Sequence, residues 1–198
     1  MCGIAGLVQY KKNTQIEPVA AVKRMTEAMT HRGPDGDGFF TDDNSGVYFG
    51  HRRLAILDLT ENGKQPMQDV EGNLIITFNG EIYNYKEILT ELGNPPTKSG
   101  TDTEMILLAY KKWGQACVLK FRGMFAFAIY DRVKQQIFLA RDHFGQKPLF
   151  YSVQEDNFYF CSELTPLMRA LPVRPVLNPR AVLLYFLHNY RHVPDPYT

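Results

Sequence analysis

Apolar positions in this chain fall into short runs broken by glycine, asparagine, aspartate or proline. Ile4 to Tyr10, Val47 to Gly50, Leu54 to Leu57, Leu74 to Phe78, Met124 to Asp131, Gln136 to Ala140, Leu149 to Val153 and Asn157 to Cys161 are rich in β-branched and aromatic residues, and each predicts a strand. Two of these runs, LIITFNG and MFAFAIYD, are nearly continuously apolar, which predicts strands covered on both faces. Helical spacing lies between them. Val19, Val22, Met25 and Met29 recur at that spacing and predict a helix over 19–30. The stretch TDTEMILLAYKKWG carries a capping-box pattern, Thr101 with Glu104, and ends with two lysines before Gly114, so both helix ends are marked. Further helices are predicted from Tyr85 to Leu92, Glu163 to Ala170 and Pro179 to His188.

Many strands with grouped helices predict an α+β fold of stacked sheets with helices outside. The proline-rich LPVRPVLNPR reads as a linker or an edge strand, and the final RHVPDPYT supplies neither a helix cap nor a strand. No repeat or low-complexity tract interrupts the pattern.

Composition narrows the classes. The chain has 198 residues, 44% of them apolar and 22% charged, enough to bury a sizeable core. A formal net charge of +1 gives no electrostatic case for nucleic acid or an anionic membrane. No run is long enough for a transmembrane helix, and MCGIAGLVQYKK places its lysines after the apolar stretch, the reverse of a secretory signal. Cys2, Cys117 and Cys161 are widely spaced with no CxxC pair, which fits a reducing, cytoplasmic setting. The five histidines show no zinc-like spacing, so no metal site is expected.

Polar clusters then stand out against the apolar pattern: Cys2 behind the initiator methionine, HRGPDGDG from His31, GHRRLAILD with Arg52 and Arg53, FNGEIYN with Asn79, Gly80 and Glu81, and GTDTE with Asp102. Each has a bland explanation. A hairpin turn accounts for Asn79-Gly80, helix capping for Asp102, and simple solvation for the two arginines. Together they have the parts of a site for a free amino acid. Arginine binds an α-carboxylate through a bidentate fork, and Asp102 or Glu81 can receive an α-ammonium. An asparagine amide and a glycine N–H can hold an oxyanion. If Met1 is removed, Cys2 holds both a thiol and an α-amine. The amine's reference pKa of about 7.7–8.0 lies near the thiol's value of about 8.5. The amine can then take the thiol proton near neutral pH without a catalytic histidine. A chain that keeps Met1 has an acylated nitrogen at Cys2, and is expected to be inactive.

The ordered motifs MCGIAG, HRGPDGDG, HRRLAILD, FNGEIYN, SGTDTE, FRGMFAFAIYD and RDHFGQKPLFY resemble the class II glutamine amidotransferase domain, as in the N-terminal glutaminase half of glutamine-dependent asparagine synthetase. The resemblance runs from Cys2 to about Glu163. It implies an N-terminal-nucleophile αββα sandwich, two antiparallel sheets flanked by helices. It also implies hydrolysis of the glutamine side-chain amide through a γ-glutamyl thioester.

Carried over residue by residue, it gives Cys2 as nucleophile and its amine as base, with Asn79 and Gly80 as the oxyanion hole. Arg53 rather than Arg52 receives the substrate carboxylate, Leu54 and Ile56 contact glutamine, and Glu81 and Asp102 hold its ammonium. RGPDG and RDHFGQKPLFY are expected to frame the pocket, and His31, His51, Cys117 and Cys161 to be structural.

The resemblance also divides the chain into a glutaminase unit over 2–170 and, over 171–198, a linker with the start of a synthetase domain. No nucleotide-binding loop or magnesium carboxylate cluster is visible in the sequence, so the chain itself is expected to carry no cofactor. ATP and magnesium belong to a synthetase half, joined in cis or supplied in trans, and the chain is read as a piece of a longer protein or the partner of a separate synthetase. Aspartate is the expected ammonia acceptor and a homodimer is compatible with the pattern. Two other readings stay open: a glutaminase serving a different carboxylate, and a non-catalytic glutamine-binding module.

Overall fold

The computed structural model describes residues 1–11, 16–55, 60–173 and 175–187. Among the described residues, nine strands form two sheets. The five-stranded sheet contains β1 (Gly3–Gln9), β2 (Gly36–Asp42), β3 (Val47–Arg53), β8 (Phe150–Gln154) and β9 (Asn157–Cys161), in the order β2-β3-β1-β9-β8. The four-stranded sheet contains β4 (Met67–Gln68), β5 (Leu74–Ile82), β6 (Gly123–Asp131) and β7 (Gln136–Arg141), in the order β4-β5-β6-β7. Every neighbouring pair is antiparallel.

The side-chain alternation of strands then builds three apolar layers. One face of β1, β3, β6 and β9 supplies Ile4, Phe49, Ala128 and Phe160 to a core between the sheets. The opposite face of the five-stranded sheet packs Leu7, Tyr48 and Tyr159 against α1 (Pro18–Ala28) and α4 (Leu164–Ala170), through Met25 and Leu167. The outer face of the four-stranded sheet packs Ile76, Phe78 and Phe127 against α2 (Tyr85–Glu91) and α3 (Asp102–Trp113), through Ile88 and Ile106. The architecture is the αββα sandwich.

Local chemistry sets the helix positions. Pro18 opens α1, where its missing N–H costs nothing. Ala21, Val22, Met25 and Thr26 form its buried stripe, whereas Val19 is exposed. The helix lies close on β3 because Gly50 has no side chain: a Cβ there would stand 2.1 Å from Thr26 Oγ1. At α3 the Thr101 hydroxyl accepts the Glu104 N–H at 3.4 Å. The Glu104 carboxylate does not complete the capping box. It turns instead to the N–H groups of Lys98 and Ser99.

Three expectations are corrected. Val47 to Gly50 is only the first part of its strand: β3 runs on through the polar HRR to Arg53, Leu54 and Ala55 lie beyond it, and the rest of the run expected from Leu54 to Leu57 lies outside the described residues. The turn-rich GDG continues into β2, whose mostly half-exposed pattern hides it from a hydrophobic reading. Asn79-Gly80 is not a hairpin turn. It lies inside β5, paired across to Ala126 and Phe125. LPVRPVLNP contains no strand among its described residues, and the final RHVPDPYT lies outside them. No described helix is long and apolar enough to cross a membrane.

Candidate active site

Alternation along the strands decides which polar side chains meet. Cys2 stands two residues before Ile4, on the face of β1 that enters the inter-sheet layer. His51 and Arg53 continue the inward parity of Val47 and Phe49 on β3, so Arg52 points the other way. Asn79 and Glu81 continue the inward parity of Ile75 on β5. The start of β1, the end of β3 and the later half of β5 thus converge at one mouth of the sandwich.

The cleft at that mouth holds about 90 Å³ and is lined by Cys2, His51, Arg53, Leu54, Gly80 and Asp102, with Gln65, Thr101 and Thr103 beside them. A larger cavity of about 430 Å³ opens at the opposite end, where Gln9, Ser45, Tyr130 and Gln136 line it without a cysteine, carboxylate or cation.

The thiol is held by one residue's backbone. The Leu54 N–H donates to Cys2 Sγ at 3.3 Å, and the thiol donates to Leu54 O at 3.6 Å. Burial pushes the Cys2 thiol above its ordinary value, while the Leu54 N–H, the terminal ammonium, Arg53 and Lys147 pull it back down. Arg32 Nε donates to the Cys2 carbonyl at 3.0 Å, and Asp35 accepts the Ala55 N–H at 2.8 Å. The RGPD stretch therefore frames both walls around the thiol.

The two neighbouring arginines have different surroundings. Arg52 is buried, with Nε on Gly33 O at 3.0 Å and a guanidinium nitrogen 3.4 Å from the Asp37 carboxylate. Arg53 is half-buried, lines the cleft and reaches Thr60 O at 3.0 Å. Of the two, Arg53 presents its cation to the cleft.

On β5 Asn79 is 1% exposed and its Nδ2 has no hydrogen-bond partner among the described residues. A donor left unpaired in a buried position costs roughly 1–3 kcal/mol. Gly80 cannot be replaced by a larger residue without movement, because a Cβ there would lie 2.3 Å from Met124 O and 2.7 Å from Phe125 Cα. The glycine thus lets β5 pack directly on β6 beside the cleft.

Asp102 is 3% exposed at the first turn of α3, and its Oδ2 accepts the Ile82 N–H at 3.0 Å. Burial raises its pKa to about 6; the backbone N–H groups of Ile82 and Thr103 oppose this, and the Glu81 carboxylate adds to it. Glu81 is half-buried near this carboxylate and does not itself line the cleft. Ile56, expected against the substrate, lies outside the described residues.

His51 lines the cleft with Nε2 3.2 Å from Phe78 O, while burial lowers its pKa to about 4, so its ring is neutral. His31 is exposed and pairs with Glu163 at 2.8 Å, away from the lining. Cys117 and Cys161 are both fully buried in apolar layers.

Gln65 has a place that its sequence context does not announce. Its Oε1 accepts the Phe78 N–H at 2.6 Å and its Nε2 donates to Thr103 at 3.3 Å, tying β5 to the start of α3. Lys147 is the second such residue, buried within electrostatic reach of Cys2 and Glu81. No local pattern signals Gln65; Lys147 lies in RDHFGQKPLFY, expected to frame the pocket, but that motif does not single out the lysine.

The sequence and the fold match known proteins. A family model described as a glutamine amidotransferase domain matches residues 1–198. A putative asparagine synthetase [glutamine-hydrolyzing] 2 of Methanocaldococcus jannaschii is 41% identical over 216 residues, covering 100% of this chain and 41% of that protein. Asparagine synthetase [glutamine-hydrolyzing] 1 of Bacillus subtilis is 38% identical over 201 residues, covering 100% of this chain and 31% of that protein. The chain thus spans well under half the length of these relatives. Among solved structures, glutamine phosphoribosylpyrophosphate amidotransferase from B. subtilis, complexed with ADP and GMP, shares the fold at a TM-score of 0.68 and 20% identity, over 83% of this chain and 42% of that one. Together with the αββα sandwich, these matches show that the chain belongs to the glutamine amidotransferase domain family.

Proposed function

We propose that this domain hydrolyses the side-chain amide of glutamine through a thioester on Cys2 and passes the ammonia to an ATP-dependent synthetase unit, in cis or in trans, that amidates aspartate. The observation that carries the reading is the meeting in one cleft of Cys2, just before β1, with Arg53 of β3, Gly80 of β5 and Asp102 of α3.

The chemistry follows from those groups once Met1 is removed. The α-amine of Cys2 accepts the thiol proton, and the thiolate attacks the amide carbon. The Asn79 Nδ2 and the Gly80 N–H receive the oxyanion as it forms. The protonated amine returns its proton to the departing nitrogen, which leaves as ammonia. Water then attacks the thioester with the amine as base, and glutamate is released. Arg53 takes the substrate α-carboxylate, Leu54 packs along the substrate, and Asp102 with Glu81 takes its α-ammonium. Nothing in this sequence of steps requires a bound metal or nucleotide in the domain. ATP and magnesium act only where the synthetase unit activates its acceptor.

The last residues of the buried core support a unit boundary near 170. Ala170 and Leu171 are each 8% exposed, whereas α5 (Pro179–Leu187), the helix that follows, has no buried residue despite Val182, Leu183, Tyr185, Phe186 and Leu187. We therefore read 2–170 as the glutaminase unit and 171–198 as the approach to a synthetase unit.

The reading is tested by intact mass before and after treatment with an electrophilic glutamine analogue. One adduct mapping to Cys2 in a chain that lacks Met1 is the expected result. A processed chain that forms no adduct would remove Cys2 from the chemistry.

A pH effect follows from Asp102. Its folded pKa of about 6 lies above its ordinary carboxylate value, so the carboxylate is complete only above that pH. Glutamine affinity is expected to fall as pH drops from 7 to 5, because protonation removes the partner of the substrate ammonium. The same shift has the opposite sign for stability. The folded state binds the proton more tightly, so this group favours folding more as pH falls. Titrating glutamine into the Cys2→Ala chain by calorimetry isolates binding from catalysis. A dissociation constant that stays flat from pH 7 to 5 would contradict the assignment.

A further inference from the structure

Lys147 places an ammonium where none is expected. It is 5% exposed, and among the described residues it forms no ion pair. Its Nζ donates to the Met1 thioether at 3.1 Å, a weak acceptor for a full charge. The backbone holds it there independently of its side chain. The Asp142 carboxylate accepts the N–H groups of Phe144 at 3.1 Å, Gln146 at 2.9 Å, Lys147 at 3.0 Å and, from β6, Phe125 at 3.2 Å. Arg141 Nε donates to Lys147 O at 2.8 Å. This loop aims a cation at the N-terminus of the chain.

The charged and titratable groups acting on that cation include Arg32 after α1, Cys2 before β1, Glu81 on β5 and Asp142 after β7. Burial, and then the Arg32 charge, hold the Lys147 ammonium below its usual range, while the other three favour its charge. Removing Met1 takes away its one side-chain hydrogen-bond partner and leaves it beside the new terminus.

We propose that Lys147 is a positioning residue for the Cys2 nucleophile: in the chain that begins at Cys2, its ammonium turns to the thiol, stabilises the thiolate, and keeps the adjacent α-amine neutral through like-charge repulsion. The proposal rests on the reading of Cys2 as an N-terminal nucleophile. It gives the buried thiol the countercharge that its surroundings require. It also makes Met1 removal do two things at once, freeing the amine and releasing the lysine.

The test uses the processed chain and iodoacetamide, a small probe that needs no substrate pocket; the other two cysteines are 0% exposed. The rate of Cys2 modification is followed from pH 5 to 10 in wild type, Lys147→Met and Lys147→Arg. The expected result is an apparent thiol pKa higher by about one unit in Lys147→Met, with modification at pH 7 slower by about tenfold. Lys147→Arg should restore most of the wild-type profile. A merely structural lysine would lower the melting temperature without moving this profile. Should Lys147→Met fail to fold, Lys147→Gln is read in its place.

An unmoved profile in the neutral variant, or an equal shift in Lys147→Arg, overturns the role of Lys147 while leaving Cys2 as nucleophile intact. If wild type itself gives no adduct with the electrophilic glutamine analogue, the reading of Cys2 falls and this proposal falls with it.

Discussion

Cys2→Ala is expected to lower glutamine hydrolysis by about four to six orders of magnitude, the scale seen when an enzyme loses its covalent nucleophile. Ammonia release from glutamine by the processed chain measures it. The same substitution should leave the fold in place. Cys2 is half-buried, and among the described residues its sulfur's hydrogen bonds are to the Leu54 backbone, at 3.3 Å and 3.6 Å. Replacing it by alanine removes one sulfur, leaves no buried charge behind, and should shift the melting temperature by no more than about 3 °C. The pairing of lost activity with a preserved fold is what distinguishes a nucleophile from a packing residue. Hydrolysis that survives at the wild-type rate would return Cys2 to the role of a small apolar side chain at the start of β1.

How much of this was legible beforehand depended on whether a residue's role was local. Runs such as LIITF and MFAFAIYD announced β5 and β6 because both faces of those strands are covered. Thr101 and the terminal lysines marked α3 at both ends. β2 was invisible because its glycines and half-exposed side chains read as a turn. The end of β3 was misread because His51 and Arg52 are polar, although both are buried, one facing the inter-sheet layer and one bonded to Gly33 O.

The site followed the same rule. Cys2, Arg53, Gly80 and Asp102 carry chemistry in their residue types, and the fold brings all four to one cleft. Choosing Arg53 over Arg52 needed a motif, and strand alternation supplies the physical reason for it. Gln65 carried no such sign, and Lys147 was marked only as part of RDHFGQKPLFY, with no role of its own. Their placement comes from contacts between segments 13 and 146 residues apart, Gln65 to Phe78 and Lys147 to Met1, which a linear pattern does not encode.

Asn79 allows a sharper test, because its structural and catalytic contributions should separate. Its Nδ2 is buried without a partner, so the folded state bears a desolvation cost that no hydrogen bond offsets. Truncation in Asn79→Ala removes that cost and some packing at once, and the two partly cancel, leaving a stability change of about 1 kcal/mol or less in either direction. Catalysis has no such cancellation. An oxyanion donor acts where charge develops in the transition state, and losing one costs about 10²–10³ in kcat with little change in KM. Asn79→Asp should be worse, since its carboxylate has no N–H to donate and sets a negative charge where the oxyanion must form. Steady-state kinetics beside thermal melts on the processed chain would read both quantities. If Asn79→Ala keeps kcat within threefold of wild type, or loses activity only in step with lost folding, the unpaired amide belongs to the architecture of β5 and the oxyanion must be held by backbone groups alone.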